Sequence, residues 1–137
     1  MNTLWCFLFL SIALVNGKSV FIIPPEYAGD ILKATADCIN STGTGVGAIQ
    51  KILSGTLENS EPFKKFLYCF SFKSGYIDSN GHFNLDKMTS LIGNHKDKAK
   101  YIDVINQCNK SKGGSTLDTV YEISLCFKEN TPIYFSI

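Results

Sequence analysis

Ser60-Glu61-Pro62-Phe63-Lys64-Lys65-Phe66-Leu67-Tyr68-Cys69-Phe70 reads as the start and body of an amphipathic helix. Ser60 suits the N-cap, where a hydroxyl accepts a hydrogen bond from an N–H of the first turn. Glu61-Pro62 suits the next positions, since proline has no N–H to forfeit there and an acid complements the positive helix end. Phe63, Phe66, Leu67 and Phe70 then fall at i, i+3, i+4 and i+7, a stripe with Cys69 beside it, and Gly75 ends the helix. No segment of the chain alternates at period two for long, so the fold class is all-α.

Working outward, Ser79-Asn80-Gly81 is a turn, and Asn84 caps a short helix holding Leu85, Met88, Leu91 and Ile92, closed by Gly93. Asn94 can cap the next, in which Tyr101, Ile102, Ile105 and Cys108 share a face. After Gly113-Gly114, Ser115-Thr116-Leu117-Asp118 has the form of a capping box. The last helix presents Leu117, Val120, Tyr121, Ser124 and Leu125 on one face, widened by Ile123 and Phe127, and so is expected to be buried among others. Thr131–Ile137 is a tail with four large apolar side chains. Upstream, Pro24-Pro25-Glu26 opens a helix to about Asn40, with Tyr27, Ile31, Ala34 and Cys38 on one face. Ser41–Gly47 is a loop, and Ala48–Ser54 a short helix stopped by Gly55. The expectation is a bundle of about six short helices.

Leu4–Val15 is almost entirely apolar and is followed by Asn16-Gly17. This is the pattern of a signal peptide over residues 1–17, cleaved after Gly17, and it is too short to span a bilayer. The remaining residues, 18–137, are one domain by length. The chain is expected to be secreted and extracellular, without stable membrane insertion. A formal net charge of +1 offers nothing to nucleic acid.

Of five cysteines, Cys6 falls in the signal peptide. Cys38, Cys69, Cys108 and Cys126 remain, an even set that reads as a disulfide framework, with three pairings open. No close cysteine pair suggests zinc, and no metal is expected. The two histidines, His82 and His95, lie beside turn residues and form no nucleophile motif. Asp78-Ser79-Asn80-Gly81-His82 departs from a calcium loop in its glycine position and its missing terminal glutamate. Asp118 and Glu122 share a solvated helix face. No catalytic residue and no cofactor are assigned, and the chain is not read as an enzyme. Asn40 and Asn109 begin glycosylation sequons.

The cysteine spacing resembles that of the insect odorant-binding protein family, of the pheromone and general odorant-binding type. The common form has six cysteines. Cys38, Cys69, Cys108 and Cys126 match the first, third, fourth and sixth, while the second would fall at Lys65 and the fifth at Leu117. The chain thus looks like the four-cysteine subgroup. Gly75-Tyr76-Ile77-Asp78-Ser79-Asn80-Gly81-His82-Phe83 is similar to a turn of that family. The resemblance covers essentially all of residues 18–137. It implies pairing of Cys38 with Cys69 and of Cys108 with Cys126, and a helical bundle around an apolar cavity.

On that resemblance the expected function is a carrier that holds odorants, pheromones or fatty-acid-like ligands and delivers them toward an olfactory receptor, as a monomer or weak homodimer. The expected ligand-binding residues are Phe66, Phe70, Met88, Ile92, Tyr121, Leu125, Tyr134 and Phe135. Tyr121 and Tyr134 are the candidates for orienting a ligand, and Phe135 for covering the pocket mouth. The rival reading is a secreted helical signalling or immune protein with a filled core.

Overall fold

The computed structural model describes residues 18–44 and 47–136; the signal-peptide expectation lies outside them. The described elements are β1 (Ser19–Ile22), α1 (Pro25–Thr42), α2 (Ala48–Leu53), α3 (Glu61–Lys73), α4 (Leu85–Ile92), α5 (Lys98–Cys108), α6 (Thr116–Asn130) and β2 (Ile133–Ser136). The six helices start and stop for local reasons. Ser60 Oγ accepts from Phe63 N, Asn84 Oδ1 from Lys87 N and Ser115 Oγ from Asp118 N, each satisfying a donor that the helix leaves unpaired. Gly43, in the left-handed region at φ 68°, ends α1 by donating to the Ile39 carbonyl at 3.0 Å.

One boundary differs from the sequence expectation. α5 begins at Lys98 rather than next to Asn94. The intervening residues are held otherwise: the Asp97 N–H donates to His95 Nδ1 at 3.0 Å, and the Asp97 carboxylate accepts from Ser19 Oγ at 3.0 Å. A contact from the far end of the chain has displaced a local cap.

Two disulfides staple the bundle. Cys38–Cys69 joins α1 to α3, and Cys108–Cys126 joins α5 to α6. They close loops of 31 and 18 residues, for which loop entropy gives about 3–4 kcal/mol each. At the positions where two further cysteines would fall, Lys65 is exposed and Leu117 half-buried. Beside them Lys64 Nζ reaches Asp118 Oδ1 at 3.0 Å and lies 5.1 Å from the centre of the Tyr121 ring, linking α3 to α6 by charge. That hydrogen bond holds the Asp118 carboxyl below the usual carboxylate range and raises Lys64 above its ordinary value.

α3 packs against both α1 and α6, so its stripe divides. Phe63 and Leu67 join Ile77, Val120 and Ile123 in a smaller cluster, whereas Phe66 and Phe70 enter a larger one with Ile31, Tyr76, Met88, Leu91, Ile92, Tyr101 and Ile133. The turn after α3 is fixed from within, since Asp78 Oδ1 accepts from Asn80 N and His82 N. It is also fixed from outside: Asn109 Oδ1 accepts from Phe83 N at 2.8 Å, and Asn109 Nδ2 donates to Phe83 O at 3.1 Å.

The two ends of the described chain form an element the sequence patterns did not reveal. β1 and β2 pair in parallel, with Ser19 opposite Ile133 and Phe21 opposite Phe135. Within the C-terminal tail, Ile133–Ser136 therefore form a strand. Along β1, Ser19 and Phe21 are half-buried while Val20 and Ile22 are 69% and 72% exposed.

Candidate functional site

Against β2 lies a cavity of ≈ 280 Å³, near the small end of the roughly 300–1,000 Å³ usual for ligand sites. Its inner wall is apolar and comes from elements already described. α1 contributes Ile31, α3 Leu67 and Phe70, α4 Met88 and Leu91, α6 Phe127, and β2 Ile133 and Phe135. Tyr76 and Phe83 enter from the turn after α3.

Aromatic rings prop this wall. Phe127 meets Phe83 and Tyr101 edge-on at 5.6 and 5.7 Å and stacks on Phe135 at 6.5 Å, while Phe135 meets Phe21 edge-on at 6.0 Å. Phe135 is thus wedged between the strand partner and α6. Tyr101, behind the wall, donates to the Met88 carbonyl at 2.8 Å and so fixes α4 on α5. Its burial pushes the phenol's pKa up strongly.

Polar groups inside are few. Ser71 and Tyr76 are buried on the wall. Burial, with smaller contributions from Tyr27 and Asp30, pushes the Tyr76 phenol up to about 12, so it is a neutral donor at neutral pH. The mouth is marked by lining residues that are exposed: Lys18, Ser54, Lys128 and Tyr134. Two hydrogen bonds cross it. Tyr134 Oη donates to the Ser54 carbonyl at 3.1 Å, tying β2 to the end of α2, and Lys18 Nζ donates to the Lys128 carbonyl at 2.7 Å.

Of the residues the sequence reading proposed, Phe70, Met88, Tyr134 and Phe135 border the cavity. Phe66 and Ile92 are buried in the same cluster but do not border it. Tyr121 and Leu125 are half-buried on α6 and are not among the lining residues; Tyr121 faces Lys64 instead. α6 turns Ser124, Phe127 and Lys128 to the cavity. Successive helix positions differ by about 100°, so a shift of one or two residues in the facing stripe moves Tyr121 and Leu125 off the wall. Tyr76, Leu91, Phe127 and the mouth lysines were missed. Phe127 carried a signal, since it stands seven residues after Val120 on one face; Lys18 carried none.

Neither histidine stands beside a nucleophile. His82 Nε2 lies 3.0 Å from the Ser111 carbonyl, and His95 Nδ1 is occupied by Asp97. Among the described residues no group of three His, Cys, Asp or Glu side chains is placed to hold a metal ion.

Comparison with known proteins agrees with this arrangement. Residues 23–130 match the model of the PBP/GOBP family. General odorant-binding protein 69a of Drosophila melanogaster is 28% identical over 106 residues, which cover 77% of this chain and 71% of that protein. Among solved structures, odorant-binding protein dmelOBP28a from Drosophila melanogaster aligns with a TM-score of 0.66 at 12% identity, covering 77% of this chain and 92% of that one. Odorant Binding Protein 7 from Anopheles gambiae, with four disulfide bridges and in complex with an azo compound, aligns with a TM-score of 0.62 at 23% identity, covering 78% and 87%. Those two structures share this chain's fold.

Proposed function

The chain belongs to the PBP/GOBP family, and from that premise we propose that it is a secreted carrier of small hydrophobic molecules, held in the cavity against β2 and delivered toward an olfactory receptor. The observation that carries this reading is the lining of that ≈ 280 Å³ space, whose wall of Ile31, Phe70, Met88, Leu91, Phe127 and Phe135 is apolar, the surface that a small hydrophobic ligand needs. A ligand burying about 300 Å² of apolar surface gains about 7–8 kcal/mol at roughly 25 cal/mol per Å². Taken whole, a gain of that size corresponds to affinity of micromolar order; loss of ligand freedom is set against it, and burial of the cavity wall and dispersion contacts with it add to it.

Tyr76 is the interior group best suited to orient a ligand, because its phenol stays protonated and borders the space. Tyr134 serves the mouth, its hydroxyl already committed to Ser54. Phe70, Met88 and Phe135 supply contact surface. Phe66 and Ile92 support the wall from the same buried cluster, while Tyr121 and Leu125 are given no part in it.

The test is titration of the secreted protein with a fluorescent apolar probe. Saturable micromolar binding, reversed by small hydrophobic competitors, is expected; absence of saturable binding would favour a filled-core interaction protein. Ending the chain after Thr131 should keep the helical content and speed probe dissociation. An unchanged off-rate would show that the strand pair is no lid.

A further inference from the structure

The residues lining the cavity include two that are charged, Lys18 and Lys128, and both are cations at the mouth. No aspartate or glutamate lines it; Glu129, next to Lys128, does not border the space. An ammonium group has three donors. Lys18 spends one on the Lys128 carbonyl, which leaves two. Lys128 forms none of the ion pairs found among the described residues, which are Lys51–Glu58, Lys64–Asp118 and His95–Asp97.

The backbone accommodates this arrangement. The aliphatic stem of Lys128 lies across Gly55, where a Cβ would come within 3.2 Å of Lys128 Cγ and 3.5 Å of Cε. Gly55 also has φ +75°, a conformation that other residues rarely adopt. The stem therefore rests on bare backbone beside the opening, with its charge left for solvent or for a ligand.

We propose that the carried ligand is an amphiphile with a carboxylate head, its hydrocarbon chain in the cavity and its head at the mouth between Lys18 and Lys128. This rests on the carrier reading above and narrows it. A charged head does not enter a wall of Phe70, Met88, Leu91 and Phe127 without a heavy desolvation cost. At the mouth it stays hydrated and meets two ammonium groups that can each donate to one carboxylate oxygen. A neutral hydroxyl head can accept a hydrogen bond from an ammonium but brings no opposite charge to it, and a cationic head is repelled by both.

The experiment is competition against the apolar probe by dodecanoate and by dodecan-1-ol, which share a chain and differ in the head. It is run at about pH 9, where the α-amino group that cleavage leaves on Lys18 is mostly neutral and lysine side chains stay charged, on the wild-type protein, on Lys18→Gln/Lys128→Gln, and on Lys33→Gln/Lys100→Gln, whose lysines are exposed and do not border the cavity. The wild type should prefer the carboxylate by about three- to ten-fold, the scale of solvent-exposed charge pairs. That preference should shrink as salt is raised, vanish in Lys18→Gln/Lys128→Gln, and persist in the control. Equal affinities for the two heads in the wild type would overturn the cationic mouth while leaving the carrier reading intact. So would a preference that survives in Lys18→Gln/Lys128→Gln, including the case where both ligands weaken equally because the lid has loosened. Failure of both ligands to displace a bound probe, or of any probe to bind, would overturn the carrier reading and this inference together.

Discussion

On one face of α3, Phe63 closes against Ile77, Val120 and Ile123, with Leu67 at the seam between that cluster and the cavity; on the other, Phe70 looks into a cavity of ≈ 280 Å³. The same helix serves a solid half and a hollow half, and the means of holding each differ. In the solid half the backbones come close. A Cβ on Gly81 would lie 3.0 Å from the Thr116 carbonyl oxygen, and one on Gly113 2.7 Å from the Asp118 carbonyl carbon. Asn109 ties the turn to the end of α5, and Cys108–Cys126 ties α5 to α6. In the hollow half large rings meet at their edges around the space, and β2, held by its pairing with β1, borders it.

The largest effects should come from packed rings and side chains. Phe66→Ala or Ile123→Ala, each at a fully buried position, should cost about 3–5 kcal/mol in urea denaturation. Phe70→Ala removes a ring that already borders empty space, so about 1–2 kcal/mol is expected, with a several-fold change in probe affinity. Equal costs at Ile123 and Phe70 would erase the contrast. Next in size, Cys108→Ser/Cys126→Ser should lose about 3 kcal/mol yet still bind the probe well below its melting temperature. Loss of binding in a folded double variant would show that this bridge shapes the cavity.

Asn109→Ala strips both hydrogen bonds from the Phe83 backbone, and about 1–2 kcal/mol is expected. Because that amide nitrogen is engaged, peptide mass analysis should find glycan at Asn40, which is exposed, in preference to Asn109.

The smallest effect concerns Lys64 and Asp118. A depressed carboxyl pKa contributes stability above the ordinary carboxylate range that is lost as pH falls through the folded value. A raised lysine pKa contributes below 10.5 and is lost as pH rises through the folded value. The stability difference between wild type and Lys64→Met should therefore be flat through neutral pH and shrink in acid. A difference unchanged at acid pH would mean that Lys64 acts only by packing on Tyr121.

Features set by neighbouring residues were legible in the sequence. The caps at Ser60, Asn84 and Ser115 depend on a hydroxyl or amide three residues from its donor, and the stripe on α3 on helical period alone. Features set by distant residues were not. Four-residue strands carry too little alternation to stand out, and Ser19 finds Ile133 only through the folded bundle. Asn94 lost its role as a cap because the following turn is organised by His95, Asp97 and Ser19. For the cavity, Phe70 and Met88 could be read from periodicity. Which edge of α6 faces inward depends on packing against α3 and α5, and so Ser124 and Phe127 stand where Tyr121 and Leu125 were expected.

Methyl NMR separates the two halves most directly. Met88 is the one methionine of residues 18–137, so its methyl signal is unambiguous, and it lines the cavity with Ile31, Leu91 and Ile133. Val120, Ile77 and Ile123 report on the solid half. On titration with a saturating hydrophobic ligand, the account predicts large shifts at Met88, Ile31, Leu91 and Ile133 and small ones at Val120, Ile77 and Ile123. Shifts of equal size in both sets, or a Met88 signal that does not move when ligand binds, would contradict it.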